Sequence, residues 1–440
     1  MKISVAGTGY VGLVAGVAFS EIGHQVTCVD VDEKKIKRMQ NLECPIYEKD
    51  LLNLMLKNKD RLTFTIDFKE AYKNADIIFI GVGTPEQADG SANLSYVYNV
   101  CNQIVESIEK DTIVVIKSTV PVGTNDKISK YFKENLSENI KVAVISNPEF
   151  LAQGTAVHDT LYAPRVVIGI EDNWAESIID KLYLPLTKEP YNQTILKMNR
   201  CSAEMTKYAS NDFLALKISY INEIANLCEK TGANVEQVTK GMSYDPRIGK
   251  NFLKAGIGFG GSCFPKDTKA LYWLSKKVGA ETRLIREAIE VNKEQKIKLF
   301  TKAHELLHGD FVGKKVAILG ATFKPDTDDL REGPSIDNIR LLLGYGAIVS
   351  TYDPVGLNNL KNIFGDRIEY NLEIDTTIKD ADICLIMTEW EQIKKYSKIN
   401  YKLLMKESIV FDGRNCYDVE EMKNLGIQYY PIGRGDFVAR

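Results

Sequence analysis

The chain has 440 residues, 44% hydrophobic and 26% charged, with a formal net charge of −3. That length exceeds one ordinary core, so two or three domains are expected. The near-neutral charge offers no electrostatic footprint for nucleic acid, no apolar run is long enough to span a bilayer, and eight scattered cysteines without a CxxC pair argue against a zinc site or a disulfide framework. A reduced, cytoplasmic setting fits that cysteine usage. The four histidines form no metal-ligand motif, and His304 and His308 read as solvated positions on a charged helix.

The first residues, 1–7, read as a strand, because glycines interrupt the apolar run too early for a signal peptide. Strands are predicted over 3–6, 25–29, 77–81, 113–117, 142–146 and 165–170. Helical patterns lie between most of them, as in a parallel sheet with crossover helices. Gly7-Thr8-Gly9-Tyr10-Val11-Gly12 joins the first strand to an apolar helix, and Asp30 ends the next strand. That is the dinucleotide fingerprint: Gly7, Gly9 and Gly12 allow a tight turn and let a pyrophosphate approach a helix N-terminus. Tyr10 and Val11 open that helix and are assigned to the same contact surface. Asp30 suits a ribose diol and disfavours a 2′-phosphate, so NAD is expected as the cofactor. Lys35 either reaches the adenosine end or is a solvated helix lysine. Two later strand ends carry Gly81-Val82-Gly83-Thr84-Pro85 and Lys117-Ser118-Thr119-Val120-Pro121. Thr84 and Thr119 there are candidate cofactor contacts, with a turn-forming role as the alternative for each.

From about 194 to 232 the pattern turns helical without strands, and helix returns from about 267 to 307. Between them lies Gly258-Phe259-Gly260-Gly261-Ser262-Cys263-Phe264-Pro265-Lys266-Asp267. Pro265 suits the first turn of a helix, which puts Cys263 at the helix N-terminus, where the dipole favours a thiolate. Asp267, four residues on, would share its face. The arrangement fits an activated nucleophile; the alternative is a structural cysteine at a helix start. The last third returns to strands at 315–319, 348–352, 383–387 and 408–411. The expected organisation is α/β: two Rossmann-like parallel-sheet domains, 1–195 and 310–440, joined by a central helical region, 196–309. The C-terminal unit has only Gly320 where a fingerprint needs three glycines, so it suits a single nucleotide better than a dinucleotide.

Together these motifs resemble the UDP-glucose/GDP-mannose dehydrogenase family nearly end to end. The resemblance rests on 7–12, 117–123, Asn147-Pro148-Glu149-Phe150-Leu151, Lys207-Tyr208-Ala209-Ser210-Asn211, 247–267, 323–332 and 411–414; the stretch 247–256 is more similar to the UDP-glucose branch. It implies oxidation of a UDP-sugar alcohol, UDP-glucose, to the acid, with NAD as acceptor twice, and a homodimer formed through the central helices. Four electrons leave the alcohol, and a cysteine thiolate retains the aldehyde halfway as a thiohemiacetal that is oxidised to a thioester. The family implies that role for Cys263. It implies that Lys207 and Asn211 hold an alkoxide, that Glu149 and Asp267 handle protons and water, and that Thr119 acts beside them. Gln153 stands where the family pattern has a second acid; it can hold water or contact cofactor but cannot take a proton. Lys266 and Arg331 are further cofactor contacts by the same resemblance. The substrate contacts it implies are Glu149, Phe150, Leu151, Lys207, Asn211, Arg247, Phe252, Leu253, Lys254, Ala255, Gly256, Gly260, Lys324 and Arg414. Two alternatives stay open: the same chemistry on a UDP-N-acetylhexosamine or GDP-mannose, and a nucleotide-sugar-binding protein of weak activity, for which Gln153 is the sequence support.

Overall fold

The computed structural model describes residues 1–434. The chain divides into two compact units, Met1–Ser210 and a second that begins at Asn211. In the first, β1 (Lys2–Ala6), β2 (Gln25–Val29), β3 (Leu62–Thr65), β4 (Ile77–Ile80), β5 (Thr112–Ile116), β6 (Val142–Ser146), β7 (Arg165–Gly169) and β8 (Thr194–Met198) form one sheet in the order β3-β2-β1-β4-β5-β6-β7-β8. Its pairs are parallel except β6 with β7, which meet antiparallel at Ser146 and Gly169. In the second unit, β9 (Lys315–Leu319), β10 (Ile348–Tyr352), β11 (Glu369–Asn371), β12 (Ile383–Ile386), β13 (Ile409–Asp412) and β14 (Gln428–Tyr430) form an all-parallel sheet in the order β11-β10-β9-β12-β13-β14. Between the two sheets in the chain come the helices Arg200–Thr231, Val235–Ser243, Phe264–Lys277, Arg283–Lys296 and Lys298–Leu306.

The central strands are continuous apolar runs because helices cover both faces of a parallel sheet. Every residue of β4, Ile77-Ile78-Phe79-Ile80, is buried, and so is every residue of β5 and β12. Each sheet reverses its strand order beside its first strand, which opens a crevice at the carboxyl ends of those strands. In the first unit Gly7, with φ of 92°, lies against the Gly81 loop, where an added Cβ would stand 3.0 Å from the Gly81 carbonyl oxygen. In the second, Gly320, with φ of 82°, lies against Thr388, 2.5 Å from where its Cβ would be.

Helix was expected from 194 onward, but Thr194–Met198 is an edge strand paired with β7, and the helix starts at Arg200. β3, β11 and β14 also lie outside the predicted strands; they are only three or four residues long, and none of the three is buried throughout. His304 is not simply solvated: its ring packs against Phe300, Phe311 and Tyr345. Among the described residues no helix is long and apolar enough to cross a membrane.

Candidate active site

In the first unit the fingerprint turn is built as the sequence predicts. Gly7 takes the left-handed conformation, and a Cβ on Gly12 would lie 1.9 Å from the Gly7 carbonyl oxygen, so only glycine fits there. A Cβ on Gly9 would meet nothing within 4 Å, which leaves open space at the N-terminus of the helix Tyr10–Glu21. Asp30 accepts from the Thr8 N–H at 2.8 Å and the Thr8 hydroxyl at 2.5 Å, with Lys35 Nζ at 3.5 Å. Burial pushes the Asp30 carboxyl up, but these donors and the Asp32 N–H outweigh it and hold it below the usual range. An open helix start beside an ionised carboxylate fits a dinucleotide's pyrophosphate and ribose. Thr84 donates its hydroxyl to the Thr119 carbonyl at 2.8 Å, so the two loops singled out in the sequence are tied to each other.

Beyond β6 a buried charge cluster forms. Glu149 accepts from Lys207 Nζ at 3.0 Å and from the Leu151 N–H at 2.8 Å. The Phe150 ring lies under Arg165, 4.3 Å from its guanidinium, and 5.5 Å from Lys207 Nζ. Gln153 is buried a turn of loop later. Sequence reasoning missed Lys117 as a member of this cluster. It is buried and donates to Asn147 Oδ1 at 3.0 Å, an oxygen that also accepts from the Tyr183 hydroxyl at 2.6 Å. Burial pushes the Lys117 ammonium down to about 8, with Glu149 opposing that shift and Lys207 adding to it. The signal was present, since a lysine ending an apolar strand is seldom buried without a task.

In the second unit Cys263 caps the helix Phe264–Lys277, with Pro265 in its first turn. Cys263 is partly exposed, and its carbonyl accepts from the Asp267 N–H at 2.8 Å. The other seven cysteines have thiols pushed up, burial being the largest cause in each; Cys28 and Cys101 reach about 12. A buried thiol such as Cys28, Cys101, Cys228 or Cys384 is a poor nucleophile. Asp267 is buried and accepts from Lys266 Nζ at 2.5 Å and from the Asn211 side-chain amide at 2.7 Å. Asn211 and Lys207 are one turn apart on the helix Arg200–Thr231.

The glycine loop before the cysteine is held from both sides. The Asn292 side chain accepts from the Phe259 N–H at 2.7 Å and donates to the Phe259 carbonyl at 3.0 Å. The Gly261 N–H donates to the Arg331 carbonyl at 2.8 Å, and a Cβ on Gly260 would meet the Glu332 carbonyl at 2.5 Å. The Gly256 N–H donates to Asn222 at 2.9 Å, and Gln295 donates to the Gly256 carbonyl at 2.6 Å. Phe252, just upstream, holds a φ of 63°, which a bulky side chain rarely adopts. Leu253 and Ala255 are buried, whereas Lys254 is exposed and pairs with Glu389 at 3.4 Å. Arg414 is brought to this loop: it donates to the Met387, Gly258 and Phe323 carbonyls at 2.9, 3.4 and 3.2 Å. Lys324 stands 5.7 Å from the Phe323 ring centre. Arg331 is engaged by Asp329 in a two-pronged pair as close as 2.6 Å. Arg247 is not drawn in; it is exposed and pairs with Asp245 at 2.6 Å.

Residues 1–187, 201–294 and 317–419 match, respectively, the NAD binding, central and UDP binding domains of the UDP-glucose/GDP-mannose dehydrogenase family. The chain is 46% identical to the UDP-glucose 6-dehydrogenase YwqF of Bacillus subtilis over 99% of this chain and 98% of that one. It is 43% identical to a UDP-glucose 6-dehydrogenase of Rickettsia conorii, over 98% and 99% of the two chains. A UDP-glucose dehydrogenase structure from Pyrobaculum islandicum superposes with a TM-score of 0.90 at 34% identity, covering 98% and 97%. With the fingerprint turn, the Lys207–Glu149 pair and the capping cysteine in place, the chain belongs to the UDP-glucose/GDP-mannose dehydrogenase family.

Proposed function

We propose that this chain is an NAD-dependent UDP-glucose 6-dehydrogenase. It converts UDP-glucose, two NAD⁺ and water to UDP-glucuronate, two NADH and three protons. The observation that carries this reading is Cys263, partly exposed at a helix start after a glycine loop, with the fixed carboxylate of Asp267 one turn on. NAD supplies the hydride acceptor for both oxidations. Glycines 7, 9 and 12, Tyr10, Val11, Asp30, Lys35, Thr84, Thr119, Gln153, Lys266 and Arg331 are the residues assigned to hold it.

Lys207 and Asn211 donate to the developing alkoxide, where fixed donors contribute most. The Cys263 thiolate adds to the aldehyde carbon, and the thioester formed by the second oxidation is cleaved by water. Glu149 and Asp267 are assigned to take and return protons, and Thr119 is assigned to the catalytic set with them. Phe150, Leu151, Phe252–Gly256, Gly260, Lys324 and Arg414 are assigned to the nucleotide sugar, and Arg247, exposed and paired with Asp245 in its own chain, is assigned to it from a second copy; the cations among them match its two phosphates. A single nucleotide suits the C-terminal sheet, where Gly320 alone marks the turn. The three parts read from the sequence, 1–195, 196–309 and 310–440, are proposed as functional parts, with the first boundary moved from 195 to the start of the helix at Arg200 because β8 belongs to the first sheet. Catalysis by a thiolate needs a reduced cysteine, and the reducing cytoplasm is the compartment assigned to it.

The long helix Arg200–Thr231 exposes Phe213, Tyr220 and Leu227, each seven residues from the next and 49–61% accessible. Apolar side chains repeating at that interval line one face of a helix. A second copy of the chain burying this face would make the homodimer.

The test is stoichiometric: purified protein, excess NAD and limiting UDP-glucose, with NADH absorbance followed to completion. Two NADH per sugar, lost in Cys263→Ser, is the expected result. NADH from a UDP-N-acetylhexosamine or GDP-mannose but not from UDP-glucose would reassign the substrate. Tight UDP-glucose binding with no NADH from any of them would make the chain a binding protein.

A further inference from the structure

The loop that carries Glu149 and Gln153 has little secondary structure of its own before the helix Ala156–Leu161. Carboxylates hold four of its backbone N–H groups. Glu149 takes that of Leu151 at 2.8 Å, and Asp159 takes that of Ala152 at 2.9 Å. Two more are held from far away in the chain: Glu48 accepts from the Gly154 N–H at 2.7 Å through one oxygen and from the Ala156 N–H at 2.9 Å through the other. Hydrogen bonds from N–H groups to an ionised carboxylate are among the stronger ones. The residue before Glu48 is engaged elsewhere. The carbonyl of Tyr47 accepts from the Tyr10 hydroxyl at 3.0 Å, and Tyr10 is the first residue of the helix that follows the fingerprint turn. Ile46 and Leu151 pack on the same apolar core.

We propose that Glu48 is a positioning residue for the reaction: its carboxylate fixes the loop bearing Glu149 and Gln153, and through Tyr47 and Tyr10 it ties that loop to the turn that receives the cofactor's pyrophosphate. The proposal rests on the dehydrogenase reading for its kinetic consequence, but not for its structural one. Gln153 cannot exchange a proton, so the burden on the one ionisable side chain of this loop, Glu149, is greater and its placement matters more. A misplacement of about 1 Å can cost up to a hundredfold in rate. Occupation of the fingerprint turn fixes Tyr10, which holds Tyr47 and therefore Glu48. The loop is then most ordered when cofactor is bound.

The experiment compares the full-length protein with Glu48→Gln, Glu48→Asp and Tyr10→Phe by amide hydrogen exchange, with and without NAD, and by steady-state kinetics. Glu48→Gln keeps the size of the side chain but turns an N–H₂ group toward one of the two N–H donors. It is expected to speed exchange over 151–157 about tenfold while β1 and β5 stay protected. It should lower kcat between about tenfold and a hundredfold with the UDP-glucose KM within about twofold, and Glu48→Asp should recover part of that loss. NAD should protect 151–157 in the parent and less so in Tyr10→Phe. Parent-like exchange and kcat in Glu48→Gln would overturn the proposal, as would faster exchange spread evenly over the whole unit. Equal NAD protection in Tyr10→Phe would remove the tie to the fingerprint turn. If the parent makes no NADH from UDP-glucose, the functional reading fails, and the exchange pattern still decides the role of Glu48.

Discussion

Asn211 donates its side-chain amide to Asp267 at 2.7 Å while Lys266 holds the other carboxylate oxygen at 2.5 Å. The carboxylate one turn beyond Cys263 is thus fixed through both oxygens. Replacing Asp267 with Asn leaves Lys266 facing a neutral group and sets two amides against each other. Removing one member of a buried pair costs about 3 kcal/mol or more. Asp267→Asn is expected to lower kcat about a hundredfold and to shift the urea midpoint downward, both read on the same preparation. Unchanged turnover with reduced stability would leave Asp267 a structural role only.

The thiols themselves separate the nucleophile from its neighbours. Seven cysteines have burial as the largest cause of a raised thiol, and Cys263 is the one at a helix start after a glycine loop. A limited dose of iodoacetamide near neutral pH is expected to modify Cys263 first, at one label per chain, and activity should fall in step with that label. Peptide mass spectrometry reads the site. First modification at Cys44, Cys201 or Cys416, the other partly exposed cysteines, would contradict the assignment.

Gln153 is the departure in this chain that bears most directly on turnover. It is buried on the loop that Glu149 opens. If thioester cleavage limits turnover because an acid is missing there, Gln153→Glu should raise the steady-state rate several-fold. Rapid mixing would show whether a burst of NADH equal to the enzyme concentration disappears in the variant. A parent without a burst, and a variant no faster, would show that Glu149 and Asp267 suffice.

Most of the frame was legible because it rests on local chemistry. The fingerprint glycines declare themselves at Gly7 and Gly12, where the backbone comes too close for any side chain. Continuous runs such as Ile77–Ile80 mark strands buried on both faces. Edge strands gave no such signal: Thr194–Met198 carries mostly half-buried or exposed residues, and its pairing with β7 rather than its own pattern makes it a strand. The same limit hid Glu48. Its partners Gly154 and Ala156 lie 106 and 108 residues away, and no spacing rule links them. Asp353 repeats the role of Asp30 in the other sheet. It accepts from the Ala321 and Thr322 N–H groups at 2.7 and 3.1 Å, a likeness between the two α/β units that their sequences show only in outline.

Asp212, the residue after Asn211, is buried, and neither of its carboxyl oxygens has a hydrogen-bond partner. Burial first and the nearby Asp267 second push its carboxyl from 3.8 up to about 8. The folded state therefore binds this proton more tightly than the unfolded chain does. The stability this contributes is fully present below pH 3.8 and is lost as the pH rises to about 8, above which Asp212 is charged in both states. The limiting slope for one such group is about 1.4 kcal/mol per pH unit. Asp212→Asn keeps the side chain neutral throughout. Its urea midpoint should gain on the parent's steadily between pH 5 and 8 and by no more beyond that. Lys117 supplies the internal contrast: its ammonium is pushed down from 10.5 to about 8, so its contribution is present above 10.5 and is lost as the pH falls through about 8. A parent whose stability falls toward pH 8 and recovers above it, with only the fall abolished by Asp212→Asn, would assign the two limbs to the two groups. Parallel curves for parent and variant between pH 5 and 8 would mean that Asp212 is charged in the folded protein after all.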